Sequence, residues 1–527
     1  MRKHHQTQII QLLDQISKAK SNAQYADAQE AALFLCDFID SVAGEGTKTV
    51  EMIEGFCELL FKAHNGEIND KLLSKNLVQI ENSVKSELKP NKIEVAFVSY
   101  KAAQSDSIES IYLEAKKDPD CDAYWIPVPS YPVNSDKSLG EMEYEGLGFY
   151  DERFEITDYK EYDIEARRPD IIFTYYSYDK TSKFVYAHED YHVKNLRKHT
   201  DMLVYVQYNV PENDVAWNNM TGKEIYDVLV EMSKGPRLID GQLNLPGHQF
   251  SHHVIFHSEN VKRWHEFVFN KNFEEAIKRK PNKHESATGR FLALGSPKID
   301  KVIGYKRENF YMPEEWVKII GNKKVFLYNI SISGLGRNRN TLKQLGKILL
   351  AFEKSEDAVI WWRPHPHLEK YIAAELPELL DVYRKMVENF KMSGIGIFDE
   401  TTDFHRSLAW SDAYYGDGSS LLKLYHFTGK PAMLSSIKVD VSDLSVKSDI
   451  DVHAVTDRLD FVRSFSDYAY TETDEFDLRD FITYVCSDAN SEEKIKARKE
   501  MYINAYADSE MSAGERIYKH IKNEINK

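Results

Sequence analysis

The sequence predicts an α/β chain in which two tandem Rossmann-like, doubly wound domains follow an all-helical domain. Three observations predict it. Hydrophobic spacing over residues 1–90 is helical throughout. From 91 onward, short β-branched and aromatic runs alternate with helical patterns, as in βαβ units feeding a parallel sheet. That alternation pauses over 305–323 and then begins again, so there are two such runs.

The elements follow in order. Ile9, Ile10, Leu12, Leu13 and Ile16 share one helical face. Ala31, Leu33, Phe34, Phe38 and Ile39 mark a second, and Val50, Ile53, Phe56, Cys57, Leu60 and Phe61 a third. Pro90-Asn91 ends this part. Strands are expected at 93–99, 123–128, 170–174, 202–208, 253–257 and 291–294, with a long loop or flap over 130–162. Residues 305–323 read as a linker. The second run has strands at 324–330, 358–362, 395–398, 413–415 and 431–434, with helices at 341–354, 376–390, 404–410 and 420–428. A loop-rich acidic stretch leads to a final helix over 492–527. The expected division is a helical accessory domain (1–90), two Rossmann-like domains (91–304 and 305–490) and a C-terminal helix (491–527).

Composition sets the bounds. At roughly 100–200 residues per domain, 527 residues suggest three domains. Hydrophobic residues at 42% and charged residues at 29% exclude a disordered chain. A net charge of −16 argues against non-specific nucleic-acid binding and against a polybasic membrane anchor. No apolar run approaches the ~18–20 residues that span a bilayer, and the N-terminus lacks a signal-peptide core, so a cytoplasmic protein is expected. Cys36, Cys57, Cys121 and Cys486 are scattered without a CxxC, which predicts neither zinc nor a disulfide framework.

Three segments at predicted strand ends could carry chemistry. Trp361-Trp362-Arg363-Pro364-His365-Pro366 ends an apolar strand in two prolines that flank a histidine. Ligands of open α/β sheets sit at such carboxyl ends, where Arg363 can fork onto a phosphate and His365 can donate to one. Asp417-Gly418-Ser419-Ser420 joins a strand to a helix with small residues and hydroxyl donors suited to an anion. Ser331-Ile332-Ser333-Gly334-Leu335-Gly336-Arg337 does the same after the first strand of the second run. It is neither a GxGxxG nor a Walker A loop, and a plain loop is the competing reading. The clustering of all three on one domain is the stronger argument. His248, His252, His253 and His257 lack an HExxH and are not read as a metal site. Trp361 and Trp362 are expected in the core.

These motifs resemble the CDP-glycerol glycerophosphotransferase family of teichoic-acid polymerases and primases. Arg363-Pro364-His365-Pro366 is similar to that family's Arg-x-His-Pro strand end, and Asp417-Gly418-Ser419-Ser420 to its Asp-Tyr-Ser-Ser turn, with Gly418 in place of Tyr. Gly429-Lys430-Pro431 resembles its Gly-Lys-Pro strand start, and Gly295-Ser296-Pro297-Lys298-Ile299-Asp300 its crossover into the second half. Residues 509–517 are similar to its closing helix. The resemblance implies a type-B glycosyltransferase fold, with His365, Ser419 and Ser420 on the donor diphosphate and Arg363 beside them. It implies a transfer in which an acceptor hydroxyl attacks phosphorus and CMP departs. A CDP-linked donor, a membrane-linked glycan or lipid acceptor, and no protein-held metal or cofactor are expected. Such a protein works in the cytoplasm, at the inner face of the membrane.

One departure stands out. Where the family carries Trp-His-Gly-Thr, this chain reads Gln207-Tyr208-Asn209-Val210, and Asn209 cannot act as a base. Candidates at strand ends of the acceptor half are Asp106 and His188 as catalytic groups, and Lys101 and Asn209 as acceptor contacts, with Glu212 also in reach. Two alternatives stay open: a nucleotide-sugar glycosyltransferase on the same fold, and a catalytically silent binding subunit that docks a protein partner through residues 1–90.

Overall fold

The computed structural model describes residues 1–435, apart from 209–216, 233–235, 237–244, 280–285, 333–334, 336–340 and a few single positions, and then 470–471, 477–487, 492–496 and 511–526.

The N-terminal part is four helices, α1 (Lys3–Ile16), α2 (Asn22–Ala43), α3 (Lys48–His64) and α4 (Asp70–Glu87). Ile9, Leu13, Leu35, Ile39, Ile53, Phe56, Leu60, Ile80 and Val84 close a core between them. The Glu87 carboxylate accepts from the Lys48 and Thr49 amides at 2.8 Å, so the end of α4 satisfies the orphan N–H groups that open α3.

The next part holds β1 (Ile93–Ser99), β2 (Cys121–Pro127), β3 (Ser130–Pro132), β4 (Ile171–Thr174), β5 (Val185–Ala187), β6 (Met202–Val206), β7 (His253–Phe256) and β8 (Phe291–Ala293). Six of them form one parallel sheet in the order β2-β1-β4-β6-β7-β8, while β3 and β5 pair antiparallel outside it. The second sheet uses β9 (Lys324–Asn329), β10 (Ala358–Trp362), β11 (Gly396–Phe398), β12 (Ala413–Gly416), β13 (Ala432–Leu434) and β14 (Tyr470–Thr471), all parallel in the order β11-β10-β9-β12-β13-β14. Alternation within these strands covers both faces. Phe326, Tyr328, Ile360 and Trp362 enter one core, whereas Val325, Leu327, Val359 and Trp361 enter the other. A sheet buried on both faces reads as continuous hydrophobic runs, as the sequence does here. Two tandem doubly wound domains behind a helical part is therefore the observed architecture, and both tryptophans are core.

The structure adjusts several expectations. Residues 305–323 are not a bare linker: a helix spans Glu314–Ile320, and Met312 and Ile320 pack under the second sheet. The helix expected over 376–390 runs over Leu380–Ser393, after a 3-10 turn at Pro377–Leu379, and a further helix, Leu368–Glu375, precedes it. The final helix, expected over 492–527, is described over Ala513–Ile525 and packs against the helix Glu109–Lys117, so Ile517, Tyr518 and Ile521 complete the core of the first sheet. Among the described residues no helix is long and apolar enough to cross a membrane.

The crossover Gly295–Asp300 and the closing helix interlock. Asp300 accepts from the Ala513 and Gly514 amides at 2.8 and 2.9 Å and from Ser110 Oγ at 2.8 Å. Two motifs 213 residues apart are thereby one joint.

Candidate functional site

In the second sheet the chain runs β9, β10, β11 outward and then returns to β12 on the other side of β9. The crevice between the carboxyl ends of β9 and β12 is thus the topological switch point, where ligands of such sheets sit. Ser331 follows β9 and Asp417 follows β12. They meet there: Asp417 Oδ2 accepts from Ser331 N at 2.9 Å and from Ser331 Oγ at 2.6 Å. The strands can approach this closely because residue 416 is glycine. A Cβ at that position would lie 2.4 Å from Asn329 O. Tyr414, buried, donates to Asp417 O at 2.8 Å and contacts Ser419 Oγ at 3.3 Å. Ser419 is the N-cap of the helix Ser420–His426, its Oγ accepting from Leu422 N, and Ser420 is exposed beside it.

β10 supplies the adjoining wall. Asn329 donates to Arg363 O at 2.9 Å, which ties the end of β9 to the loop that carries His365. His365 is half-buried, and its Nδ1 accepts from the His367 amide at 3.1 Å. With Nδ1 used as an acceptor, the neutral ring carries its proton on Nε2 and offers it as a donor. Burial, with His367 beside it, holds the imidazole below its ordinary pKa, which favours this neutral form. A cavity of about 480 Å³ opens next to it, lined by His365, Lys370, Tyr383, Arg384, Glu400 and Thr401 among others.

Arg363 is placed differently from expectation. Its sequence context alone suggests an open fork for phosphate. Its Nη1 instead donates to Asp399 Oδ2 at 2.6 Å and its Nη2 to Thr401 O at 2.5 Å, with only 7% of the side chain exposed. Trp361 Nε1 donates to the same Asp399 oxygen at 3.0 Å. Arg363 is a brace between β10 and β11, and Asp399, which carried no sequence signal, is its counter-ion. Lys430 of the Gly-Lys-Pro motif is likewise structural. Its ammonium donates to Leu408, Ala409 and Ser411 carbonyls at 2.9, 2.8 and 2.6 Å, closing the end of the helix His405–Trp410. Arg337 lies outside the described residues.

The first half brings fewer of its candidates together. Asp106, expected to be catalytic, is 1% exposed at the junction of the two halves. Its Oδ1 takes Lys298 Nζ at 2.5 Å, and its Oδ2 lies 3.4 Å from His405 Nε2. His405 in turn bonds Tyr305 through Nδ1. Burial would push the Asp106 carboxyl up, but Lys298 and His405 outweigh it and hold the group well below the carboxylate range. A carboxylate so stabilised is a poor proton acceptor at neutral pH; Asp106 is an interdomain strut. His188 stands on the small β3–β5 pair, outside the main sheet, and its Nδ1 accepts from the Asp190 amide at 3.4 Å. Lys101 does sit at the carboxyl end of β1. Asn209 and Glu212 lie outside the described residues.

Gln207 and His248 form a cluster with His265, which carried no sequence signal. Gln207, directly after β6, places its Nε2 3.4 Å from His248 Nε2 and 3.5 Å from His265 Nε2. His265 Nδ1 donates to Val261 O at 2.8 Å, so its Nε2 is an acceptor and the Gln207 amide group turns inward. His257, at the end of β7, is driven down to about 3 by burial and by Lys423 of the other half. Gln207 and His257 follow the neighbouring strands β6 and β7, whereas His248 and His265 come from the flanking helices Pro246–Phe250 and Glu259–Ile277, so no spacing in the sequence brings the four together.

No family model and no curated protein matches this chain. Among solved structures it is similar to a UDP-N-acetylglucosamine 2-epimerase, at 14% identity over 82% of this chain and 95% of that one, with a TM-score of 0.45. It is similar to a putative UDP-N-acetylglucosamine 2-epimerase from Listeria monocytogenes, at 13% identity over 82% and 96%, with a TM-score of 0.43. It is also similar to the wall teichoic acid polymerase TagF, at 12% identity over 91% and 98%, with a TM-score of 0.39.

Proposed function

We propose that this chain is a transferase that moves glycerol phosphate, or a related polyol phosphate, from a CDP-activated donor to a hydroxyl of a cell-envelope polymer or lipid-linked acceptor. The observation that carries the reading is the ridge of donors along β10, β9 and β12: His365 Nε2–H on one side, and Ser419 and Ser420 on the other, across the Ser331–Asp417 joint. The motif resemblance supplies the donor class, and the cavity beside His365 offers room for its nucleoside.

The chemistry asks for such an arrangement. The acceptor hydroxyl's oxygen bonds to the glycerol-bearing phosphorus as the bond to the CMP oxygen breaks, and the hydroxyl proton passes to water. The leaving CMP gathers negative charge, and fixed hydrogen-bond donors aimed at it lower the barrier without reorganisation. His365 is suited to this as a neutral donor held by His367. Arg363 contributes indirectly, by holding the His365 loop against β11 through Asp399. In the acceptor half, Lys101 is assigned to acceptor binding, and the enzyme acts at the inner face of the membrane.

A second reading is a catalytically silent binding module. It is favoured by the engagement of Asp106 with Lys298 and by the position of His188 off the main sheet. A nucleotide-sugar donor would use the same phosphate contacts. A thermal-shift panel of CDP-glycerol, CDP-ribitol, CMP and UDP-sugars separates the three: stabilisation by cytidine nucleotides supports the transferase, by uridine nucleotides alone a glycosyltransferase, and by none the silent module.

A further inference from the structure

At the carboxyl end of β1, Lys101 is covered by the flap. Its ammonium lies 2.7 Å from Glu143 Oε2 and 3.0 Å from Glu145 Oε1, while Glu145 Oε2 accepts from the Ala102 amide at 2.7 Å. One carboxylate thus spans an ammonium and a backbone N–H. The seat beneath it is rigid. Buried Tyr175 takes the Lys101 amide at 3.0 Å, donates to the Lys101 carbonyl at 2.8 Å and bonds Ser99 Oγ at 3.0 Å. The flap is anchored on both sides of the occupant, at Glu143, whose backbone pairs with Ser130, and at Tyr150, whose hydroxyl lies 3.0 Å from Ser99 Oγ; between these anchors Gly146 and Gly148 flank an exposed turn in which Leu147 is 86% exposed, with Phe149 after it 63% exposed. Two carboxylates on one ammonium also leave a formal excess of one negative charge, so one of them can leave without stripping Lys101 of a partner.

The place is not arbitrary. β1 is flanked by β2 and β4, and the chain reverses direction across the sheet there, so the end of β1 borders the switch-point crevice of the acceptor half. We infer that Lys101 Nζ and Ala102 N–H form a seat for a phosphoryl anion, a phosphate mono- or diester, and that Glu145 fills this seat as a stand-in until the exposed turn that carries it swings aside. The inference rests on the transferase reading only for the origin of that phosphate, a phosphodiester of the acceptor.

The test uses the full chain without nucleotide. Binding of sn-glycerol 3-phosphate and of inorganic phosphate is measured by calorimetry for the wild type, Glu143→Gln/Glu145→Gln, and the same pair with Lys101→Met. Glu141→Gln/Glu152→Gln, an equal change of charge at exposed flap positions, is the control. The expected result is binding about tenfold tighter in Glu143→Gln/Glu145→Gln than in wild type, lost again with Lys101→Met. Preference for glycerol 3-phosphate over inorganic phosphate points to an ester, and equal binding to a bare phosphate seat; either supports the seat. The inference is overturned by unchanged affinity, by equal tightening in the control, by retention with Lys101→Met, or by no binding to any variant. Should the double variant melt below the wild type, Glu145→Gln alone is judged by the same criteria. A CDP-glycerol thermal shift on the same proteins reports the donor reading separately, so either can fail alone.

Discussion

Lys298 Nζ lies 2.5 Å from Asp106 Oδ1, and both side chains are almost completely buried. Lys298 belongs to the crossover helix Pro297–Ile303 and Asp106 to the turn after β1, while His405, beside Asp106, belongs to the second half. Three parts of the chain therefore share one buried charge. Removing one partner of such a pair strands the other, at a cost of about 3–5 kcal/mol. Asp106→Asn should lower the unfolding free energy by that order in denaturant titration. Combining it with Lys298→Met should recover part of the loss. A change of less than about 0.5 kcal/mol in Asp106→Asn would remove the pair from the joint.

Buried histidines predict the acid side of the stability profile. Burial drives His248 and His257 down to about 3 and His252 and His426 down to about 4. A group whose folded pKa is depressed contributes stability that is complete above its unfolded value, about 6.5 for histidine, and is lost as pH falls through the folded one. Unfolding free energy should therefore drop between about pH 6.5 and 4, by up to about 1.4 kcal/mol per pH unit for each histidine. Denaturant melts from pH 7.5 to 5 check this. Stability that is flat or rising as pH falls across that window would contradict it.

The joint between the crossover and the closing helix makes a steric prediction. A Cβ on Gly514 would fall 2.4 Å from Ser110 Oγ and 2.5 Å from the Ser110 carbonyl carbon. Backbone cannot yield as a flexible side chain can, so Gly514→Ala should cost about 1–3 kcal/mol. The melting temperature reads it, and an unchanged value would mean that the helix does not seat on Ser110.

Much of this architecture was legible in the sequence because strands buried on both faces leave unbroken apolar runs, such as Ala358–Trp362, that end at Pro or Gly. The short β3–β5 pair left no such signature, nor did the turn that splits the helices around Pro377. Three residues singled out in the sequence, Ser331, Asp417 and Ser419, come together at one switch point. What residue type cannot reveal is who already has a partner. Arg363 and Asp106 look like free chemistry in a sequence. Asp399, 36 residues after Arg363, and Lys298, 192 residues after Asp106, neutralise them in the fold.

His365 is the residue on which the proposed donor site turns. It is half-buried in a loop braced by other residues, so His365→Ala should leave the melting temperature of the unliganded chain nearly unchanged. The most direct measurement is the thermal shift produced by CDP-glycerol in the wild type and in His365→Ala. The account predicts stabilisation of the wild type, of about 2.7 kcal/mol at a hundredfold excess over Kd, and its loss in the variant. No stabilisation of the wild type, or an equal shift in both proteins, would contradict it.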